Sequence, residues 1–373
     1  MYAAGLMSGT SCDGMSGALI RLPSPGYRPS LAATAHVPYL RSERGLLLSL
    51  ASGDPAAPAA VARAGGIVAR ASVACVRRLL RAARLPARRL AVIGAHGHTL
   101  YHGPHDRAGA VTFQCGNLSR IAEETGVAVV GDFRARDVAA GGEGAPLAPW
   151  AHRLLFASPR EPGIVLNLGG IANVTWLPAG ARDRDVIAFD TGPANMVIDL
   201  LAARATRGRL DCDRGGKLAA RGRIVPRVLL RLLAHPYLRR RPPKSTGREE
   251  FGAALLPAFR GLSGPDAVAT ATAFTARSVA DQIGRWLPPA ARRAPVWVGG
   301  GGARNPALMR ALAGALAPRP VRPVALLGWP DQALEPVCFA LLAVARLRGI
   351  PNVLPRVTGA RRAVCAGVLV PAR

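Results

Sequence analysis

Gly5-Leu6-Met7-Ser8-Gly9-Thr10-Ser11-Cys12-Asp13-Gly14 is the stretch from which the rest of the chain is read. Residues 2–7 are short and mostly apolar, as a buried strand is. A second apolar run, Ala18-Leu19-Ile20, follows the small polar residues. The pattern is strand, tight polar turn, strand. Glycines let a backbone approach a ligand closely, and successive N–H groups with Ser and Thr hydroxyls form an anion-binding concavity. Asp13 adds a carboxylate able to hold a metal ion directly or through water. No GK[ST] follows, so the segment is not a Walker loop. Taken alone, the same residues also fit a plain Gly/Ser-rich hairpin.

The 373 residues suggest two domains with ample core. Half of them are apolar, which places the chain among globular rather than disordered sequences. A net charge of +27 looks at first like a nucleic-acid signal. Only Lys217 and Lys244 are lysines, however, and every other basic residue is an arginine scattered through Ala-, Pro- and Gly-rich sequence. That fits a mutational bias toward Arg and Ala codons. Clusters such as Arg239-Arg240-Arg241 are small and aromatics too sparse for base stacking, so nucleic acid is not expected as a partner. A positive field that attracts anionic substrates is the more modest reading. Cys12, Cys75, Cys115, Cys212, Cys338 and Cys365 show neither CxxC pairing nor metal spacing, consistent with reduced thiols. The N-terminus has no basic n-region, and the late apolar run at 337–345 is too short to span a bilayer. A cytoplasmic protein without a membrane partner is expected.

After the first hairpin, residues 31–37 offer a third strand. Residues 56–83 predict a long amphipathic helix. Residues 90–95 read as a buried strand leading into His96-Gly97-His98-Thr99. A helix over 117–125 and a strand over 127–130 follow, the latter ending at Gly131-Asp132-Phe133-Arg134. The Gly- and Pro-rich residues 139–149 look like a junction, and the pattern then restarts. A strand at 164–168 enters Gly169-Gly170-Ile171-Ala172-Asn173 and returns over 174–177. A strand at 186–189 ends at Asp190-Thr191-Gly192-Pro193-Ala194-Asn195, ahead of a helix over 196–204. A helix over about 267–286 precedes a strand at 296–298. The turn Gly299-Gly300-Gly301-Gly302-Ala303-Arg304-Asn305 and a helix over 306–316 come next. The expected division is 1–130 and 131–373, with the C-terminal segment able to pack back on the first domain. Duplicated α/β halves with a nucleotide cleft between them follow naturally, since such sheets bind ligands at the carboxyl ends of parallel strands.

Four polar, Gly-bearing turns each follow an apolar strand, around Gly9, Gly169, Asp190 and Gly299. A polyanionic ligand explains four better than coincidence does. Phosphoryl transfer needs backbone N–H donors and a metal for the phosphates, plus a base or orienting group for the nucleophile.

The segments MSGTSCDG, HGHT, GDFRARDVAAGGEGAPLAP, NLGGIANVT, FDTGPANMVID, LDCDRGGKLAARG, PPKSTGREEF, GGGARNPALM and VTGARRAV occur in order over nearly the whole chain. In them the sequence closely resembles the anhydro-N-acetylmuramic acid kinases of the sugar kinase/actin/heat-shock ATPase superfamily. The resemblance implies two actin-like (ribonuclease H-like) α/β domains around an interdomain ATP cleft. It also implies that ATP and water open the 1,6-anhydro ring and give the 6-phosphate in cell-wall recycling. Asp190 matches the family's catalytic Asp, although an Asp there also fits a helix N-cap. Gly9, Thr10, Ser11, Cys12, Asp13, Gly14, Met15 and Ser16 match the first phosphate turn, with Asp13 near Mg²⁺. Asn167, Gly169, Gly170 and Asn173 match the second, and Gly300, Gly301 and Asn305 the adenosine-side loop. His96, Thr99, Arg134, Asp137 and Glu335 fall where the family contacts the sugar; a structural His96 and a solvated Glu335 are the plain alternatives. Lys244 receives no role. The family usually has Asp at Ser16, Gln at His98, Gln at Glu143 and Gly at Ala194. Pro336 is tolerable only in a helix's first turn. The resemblance also hints at a homodimer. Two other readings remain open: a non-catalytic nucleotide-binding regulator of the same fold, and a kinase for another amino sugar.

Overall fold

The computed structural model describes residues 1–9, 11–23, 28–106 and 109–372; Thr10, expected in the first phosphate turn, lies outside them. The chain opens with β1 (Tyr2–Ser8), β2 (Gly14–Arg21), β3 (Ser30–Pro38), α1 (Arg41–Ala51) and α2 (Pro58–Ala82). Next come β4 (Leu90–Gly103), β5 (Val111–Cys115), α3 (Leu118–Thr125), β6 (Val129–Gly131), α4 (Ala135–Ala139) and α5 (Ala148–Phe156). A second run holds β7 (Gly163–Leu168), β8 (Ile171–Leu177), β9 (Ile187–Pro193), α6 (Asn195–Ala205), α7 (Pro226–Leu233) and α8 (Arg248–Phe251). It continues through α9 (Gly264–Trp286), β10 (Val296–Gly299), α10 (Pro306–Leu316) and β11 (Val321–Pro323). The chain ends with α11 (Leu334–Leu347), α12 (Pro355–Thr358) and β12 (Val368–Val370).

Packing separates two units, Met1–Leu155 with Gln332–Arg373, and Phe156–Asp331. The first has a sheet ordered β12-β6-β4-β1-β2-β3, with β5 attached to β4. In it β1, β2 and β3 form an antiparallel meander, while β1, β4 and β6 run parallel. The second unit's sheet is ordered β11-β10-β7-β8-β9, with the meander β7-β8-β9 and parallel β7, β10 and β11. With β5 and β12 of the first sheet set aside, each sheet numbered from its own first strand reads 3-2-1-4-5. This is the duplicated actin-like α/β arrangement.

The expected boundary after residue 130 is displaced. Residue 130 lies inside β6, a strand paired on both sides by β4 and β12, so no boundary falls there. Residues up to 155 stay with the first sheet, and residues 332–373 return to it as α11, α12 and β12. Two strands also run further than expected. β4 continues to Gly103, which places His96-Gly97-His98-Thr99 inside it, and β9 continues to Pro193, which places Asp190 within a strand. α1, α4, α5, β5, α7, α8, β11, α12 and β12 were not anticipated, several of them, such as β11, β12, α8 and α12, being too short to show a periodicity.

α11 is the core helix of the first unit, almost wholly buried from Leu334 to Ala345. It lies on β1 and β4 at two glycines. A Cβ at Gly5 would overlap the Pro336 carbonyl, and one at Gly94 the Phe339 carbonyl. Pro336 sits in the helix's first turn, where a missing N–H forfeits no intrahelical bond. α2 is long and apolar enough in composition to cross a bilayer, yet Val68, Val76 and Leu79 are fully buried in this unit's core.

Backbone contact leaves no slack for a methyl group, so Gly5→Ala should destabilise by about 3 kcal/mol or more in chemical unfolding. Gly314→Ala, on the open face of α10, should instead stabilise by about 0.5–1 kcal/mol. Equal, small effects at both positions would contradict the packing of α11 on β1.

Candidate active site

In the first unit, the turn between β1 and β2 is closed by the Cys12 N–H, which donates to the Gly9 carbonyl at 3.1 Å; Cys12 takes a φ of 52°. The side chains of Cys12 and Met15 are fully buried in the core, so only their backbone groups can serve a ligand. Ser11 and Asp13 are exposed, with Ser11 Oγ donating to Asp13 Oδ1 at 3.1 Å. Gly14 is pressed against the Val37 carbonyl, where a Cβ would overlap. Arg44 of α1 donates to the Ser11 carbonyl at 3.2 Å and brings a guanidinium to the turn. Sequence reasoning missed it, since nothing marks it among so many arginines. Ser16 lies in β2 with its Oγ 3.1 Å from His36 Nδ1, where the family's Asp would put a carboxylate. Among the described residues no group of three or more His, Cys, Asp or Glu side chains is arranged to hold a metal ion. The exposed Asp13 fits Mg²⁺ bound mainly through phosphate oxygens and water, the usual mode for that ion.

β1 runs parallel to β4 with Ser8 opposite His98, so the turn stands beside the His-rich part of β4. Tyr39 Oη donates to Ser8 Oγ at 3.0 Å, and Ser8 Oγ lies 3.0 Å from His98 Nδ1. His96 is buried against Phe339, with ring centroids 4.5 Å apart. Its Nε2 accepts from Arg134 Nε at 3.2 Å, and Arg134 also donates to the Gly144 carbonyl at 2.8 Å. Glu335 stands one turn before Phe339 on the same face of α11. His96 thus stands between Phe339 and the guanidinium of Arg134.

Asp137 is fully buried, and both carboxylate oxygens are engaged internally. Oδ2 accepts from the Gly144 N–H at 2.7 Å and Oδ1 from Thr358 Oγ1 at 2.8 Å. This geometry gives Asp137 a positioning role, tying the loop that holds Arg134 to α12. Thr99 pairs with Gln114 across β4 and β5, and no hydrogen bond among the described residues joins its side chain to this group. Glu143 meets the exposed His105 at 3.2 Å.

In the second unit, Asn167, Asn173 and Asp190 form one row across β7, β8 and β9. Residues directly opposite in adjacent strands share a face, so Asp190 stands beside the amides of the second turn. Asn195, at the start of α6, donates from Nδ2 to the Leu168 and Gly169 carbonyls at 2.9 Å each. The Ala194 N–H donates to the Gly170 carbonyl at 2.9 Å. Asn195 therefore shapes the turn, although sequence reasoning treated it as the lead-in to a helix. Ala194 has φ −121°, so no glycine is required there.

The loop after β10 packs directly on this turn. Gly300 takes φ +82°, and a Cβ there would come within 2.6 Å of Asn167 Oδ1 and 2.7 Å of the Leu168 carbonyl. Gly301 is exposed. Asn305 caps α10, its Oδ1 accepting from Ala307 and Leu308 N–H at 3.1 Å each. Asp190 is 8% exposed. Its Oδ2 accepts from the Thr246 N–H at 2.9 Å, its N–H donates to the Lys244 carbonyl at 3.2 Å, and its carbonyl accepts from Tyr237 Oη at 2.8 Å. Asp190 is held as an interior strand residue and is not an N-cap.

Burial, reinforced by Arg134, holds His96 well below the ordinary imidazole range and pushes His102 down to about 4. Burial alone pushes His152 down to about 3. These rings are neutral in the folded state. The unfolded chain takes up their protons first as pH falls below about 6.5. Stability therefore declines progressively from about pH 6.5 down to about pH 3. Melting temperature against pH should show this decline, and His152→Leu should flatten it; an identical slope in the variant would remove His152 as a contributor.

A family model described as Anhydro-N-acetylmuramic acid kinase matches residues 1–372. The anhydro-N-acetylmuramic acid kinase of Gloeobacter violaceus is 45% identical over 379 residues, covering 99% of this chain and 98% of that protein. That of Salinibacter ruber is 44% identical over 373 residues, covering 95% and 92%. That of Caldanaerobacter subterraneus is 37% identical over 376 residues, covering 97% and 95%. Matches of this extent, on a chain with the duplicated sheet and both glycine turns in place, leave one conclusion: the chain belongs to the anhydro-N-acetylmuramic acid kinase family.

Proposed function

We propose that this protein is an ATP-dependent kinase that hydrolytically opens 1,6-anhydro-N-acetylmuramic acid and phosphorylates its O6. The products are N-acetylmuramic acid 6-phosphate and ADP, and the setting is peptidoglycan recycling in the cytoplasm. The observation that carries the reading is Asp190, whose backbone is held by two hydrogen bonds and its carboxylate by a third, in the same row as the amides of a glycine turn.

Opening the internal acetal requires water at C1 and an acceptor for O6. An inverting glycosidase supplies two carboxylates, one to activate water and one to protonate the leaving oxygen. Here O6 attacks the γ-phosphorus instead, so the phosphoryl group takes the acid's place. Asp190 removes a proton from the attacking water, the C1–O6 bond breaks, O6 forms the new P–O bond, and ADP leaves. One carboxylate suffices.

We assign the phosphates to the backbone of Gly9, Ser11, Cys12, Asp13 and Gly14 and to the Asn167–Asn173 turn. Gly300 and Gly301 are assigned to the nucleoside side, while Asn305 shapes that loop as a helix cap. Arg134 and Glu335 are assigned to the sugar, with His96 and Asp137 orienting Arg134. Mg²⁺ beside Asp13 would neutralise charge developing on the phosphates. The scattered arginines favour small anionic substrates over nucleic acid or membrane, and a homodimer is the expected assembly.

Turnover with ATP and the anhydro sugar in oxygen-18 water, sampled within minutes, should place label on C1 of a 6-phosphate. Unlabelled C1, or no turnover, would refute the reading. Asp190→Asn should lower kcat at least about a hundredfold while ATP still binds; full activity would remove Asp190 as the base.

A further inference from the structure

Lys244 is one of only two lysines in the chain, and its side chain is 1% exposed. Enclosing an ammonium is costly unless polar groups and aromatic faces replace its water. Nζ donates to Gln282 Oε1 at 2.6 Å and to the Tyr237 carbonyl at 3.4 Å. It also stands 4.6 Å from the Tyr237 ring centroid and 5.8 Å from that of Phe189. Gln282, from α9, donates its Nε2 to the Leu238 carbonyl at 2.9 Å. One ammonium and one amide thereby knot residues 237–246 to the central helix of the unit.

This knot holds Asp190. β9 is the edge strand of its sheet, and an edge strand's outward N–H and C=O groups need partners from elsewhere. At Asp190 both come from the knotted segment, the N–H bonding to Lys244 and the carbonyl to Tyr237. The Thr246 N–H adds a bond to Oδ2, which aims the carboxylate. The direction of the carboxylate thus depends on a segment fastened through the Lys244 side chain.

We infer that Lys244 is a positioning residue for the reaction, its enclosed ammonium locking residues 237–246 so that they fix the carboxylate of Asp190. The inference rests on reading Asp190 as the base. Charge enters as well as geometry. Burial pushes Lys244 down to about 8, with Arg240 and Arg285 acting in the same direction and Asp190 against them. The knot is charged at neutral pH and discharges above about pH 8. An ammonium is compact and able to lose its proton, whereas a guanidinium is neither.

The test compares Lys244→Met, Lys244→Arg, Gln282→Leu and Asp190→Asn in the full chain, reading kcat, KM, ATP affinity and the pH profile of kcat. Lys244→Met should bind ATP within about twofold of wild type and lose kcat by about tenfold to a hundredfold at little cost in KM. The acidic limb of its profile should move upward, because the carboxylate has lost a neighbouring positive charge. Wild-type kcat should fall as pH rises through about 8, and Lys244→Arg should abolish that fall. Gln282→Leu should reproduce part of the kcat loss. If Lys244→Met does not fold, the alkaline limb of Lys244→Arg decides: a limb unchanged from wild type overturns the inference. Wild-type kcat and limbs in folded Lys244→Met beside an inactive Asp190→Asn also overturn it, leaving the base reading intact. A fully active Asp190→Asn removes both.

Discussion

The first strand of each meander also pairs in parallel with a strand that arrives after a helical crossover, and this constraint governs both units. In the first unit it sets Ser8 opposite His98, in the second Asn167 opposite Gly299. A polar hairpin turn is thereby placed against the carboxyl end of a neighbouring parallel strand, where sheets of this kind bind ligands. The Tyr39–Ser8–His98 chain exists because of the first register. The approach of Gly300 to the Asn167 amide exists because of the second. Close approach is also why glycines recur at these points.

Several buried polar groups act as internal ties. Asp137 spends both oxygens on Gly144 and Thr358, and Asn305 spends its Oδ1 on the first turn of α10. A buried group with its partners supplied costs far less than an unpartnered one, which is how these residues are tolerated in the interior. His96 is held neutral by burial and by Arg134, so its Nε2 can accept a hydrogen bond and orient the guanidinium.

Departures from the family pattern fall where the backbone does not need the usual residue. Ala194 has a negative φ, outside the left-handed region that favours glycine. Pro336 occupies the one part of a helix where its missing N–H is harmless. Ser16 and His98 each found a hydrogen-bond partner, His36 and Ser8. Gly5 and Gly94 leave the room that α11 needs against β1 and β4.

The sequence by itself determined the repeated strand–turn–strand units, the helices over 58–82 and 306–316, and a carboxylate at Asp190, because apolar periodicity and glycine-bearing turns are local signals. Only the tertiary structure decided where the units divide, because the return of residues 332–373 to the first sheet depends on β12 pairing with β6 and on α11 fitting the notch at Gly5 and Gly94. It alone turned Asp137 from a candidate ligand contact into a tie, since its partner Thr358 lies on a distant segment. It alone gave Lys244 a place beside Asp190. A lone lysine in a Pro-rich stretch carries no local pattern, and its surroundings come from α9 and the Tyr237 turn, which meet it only when the unit is folded.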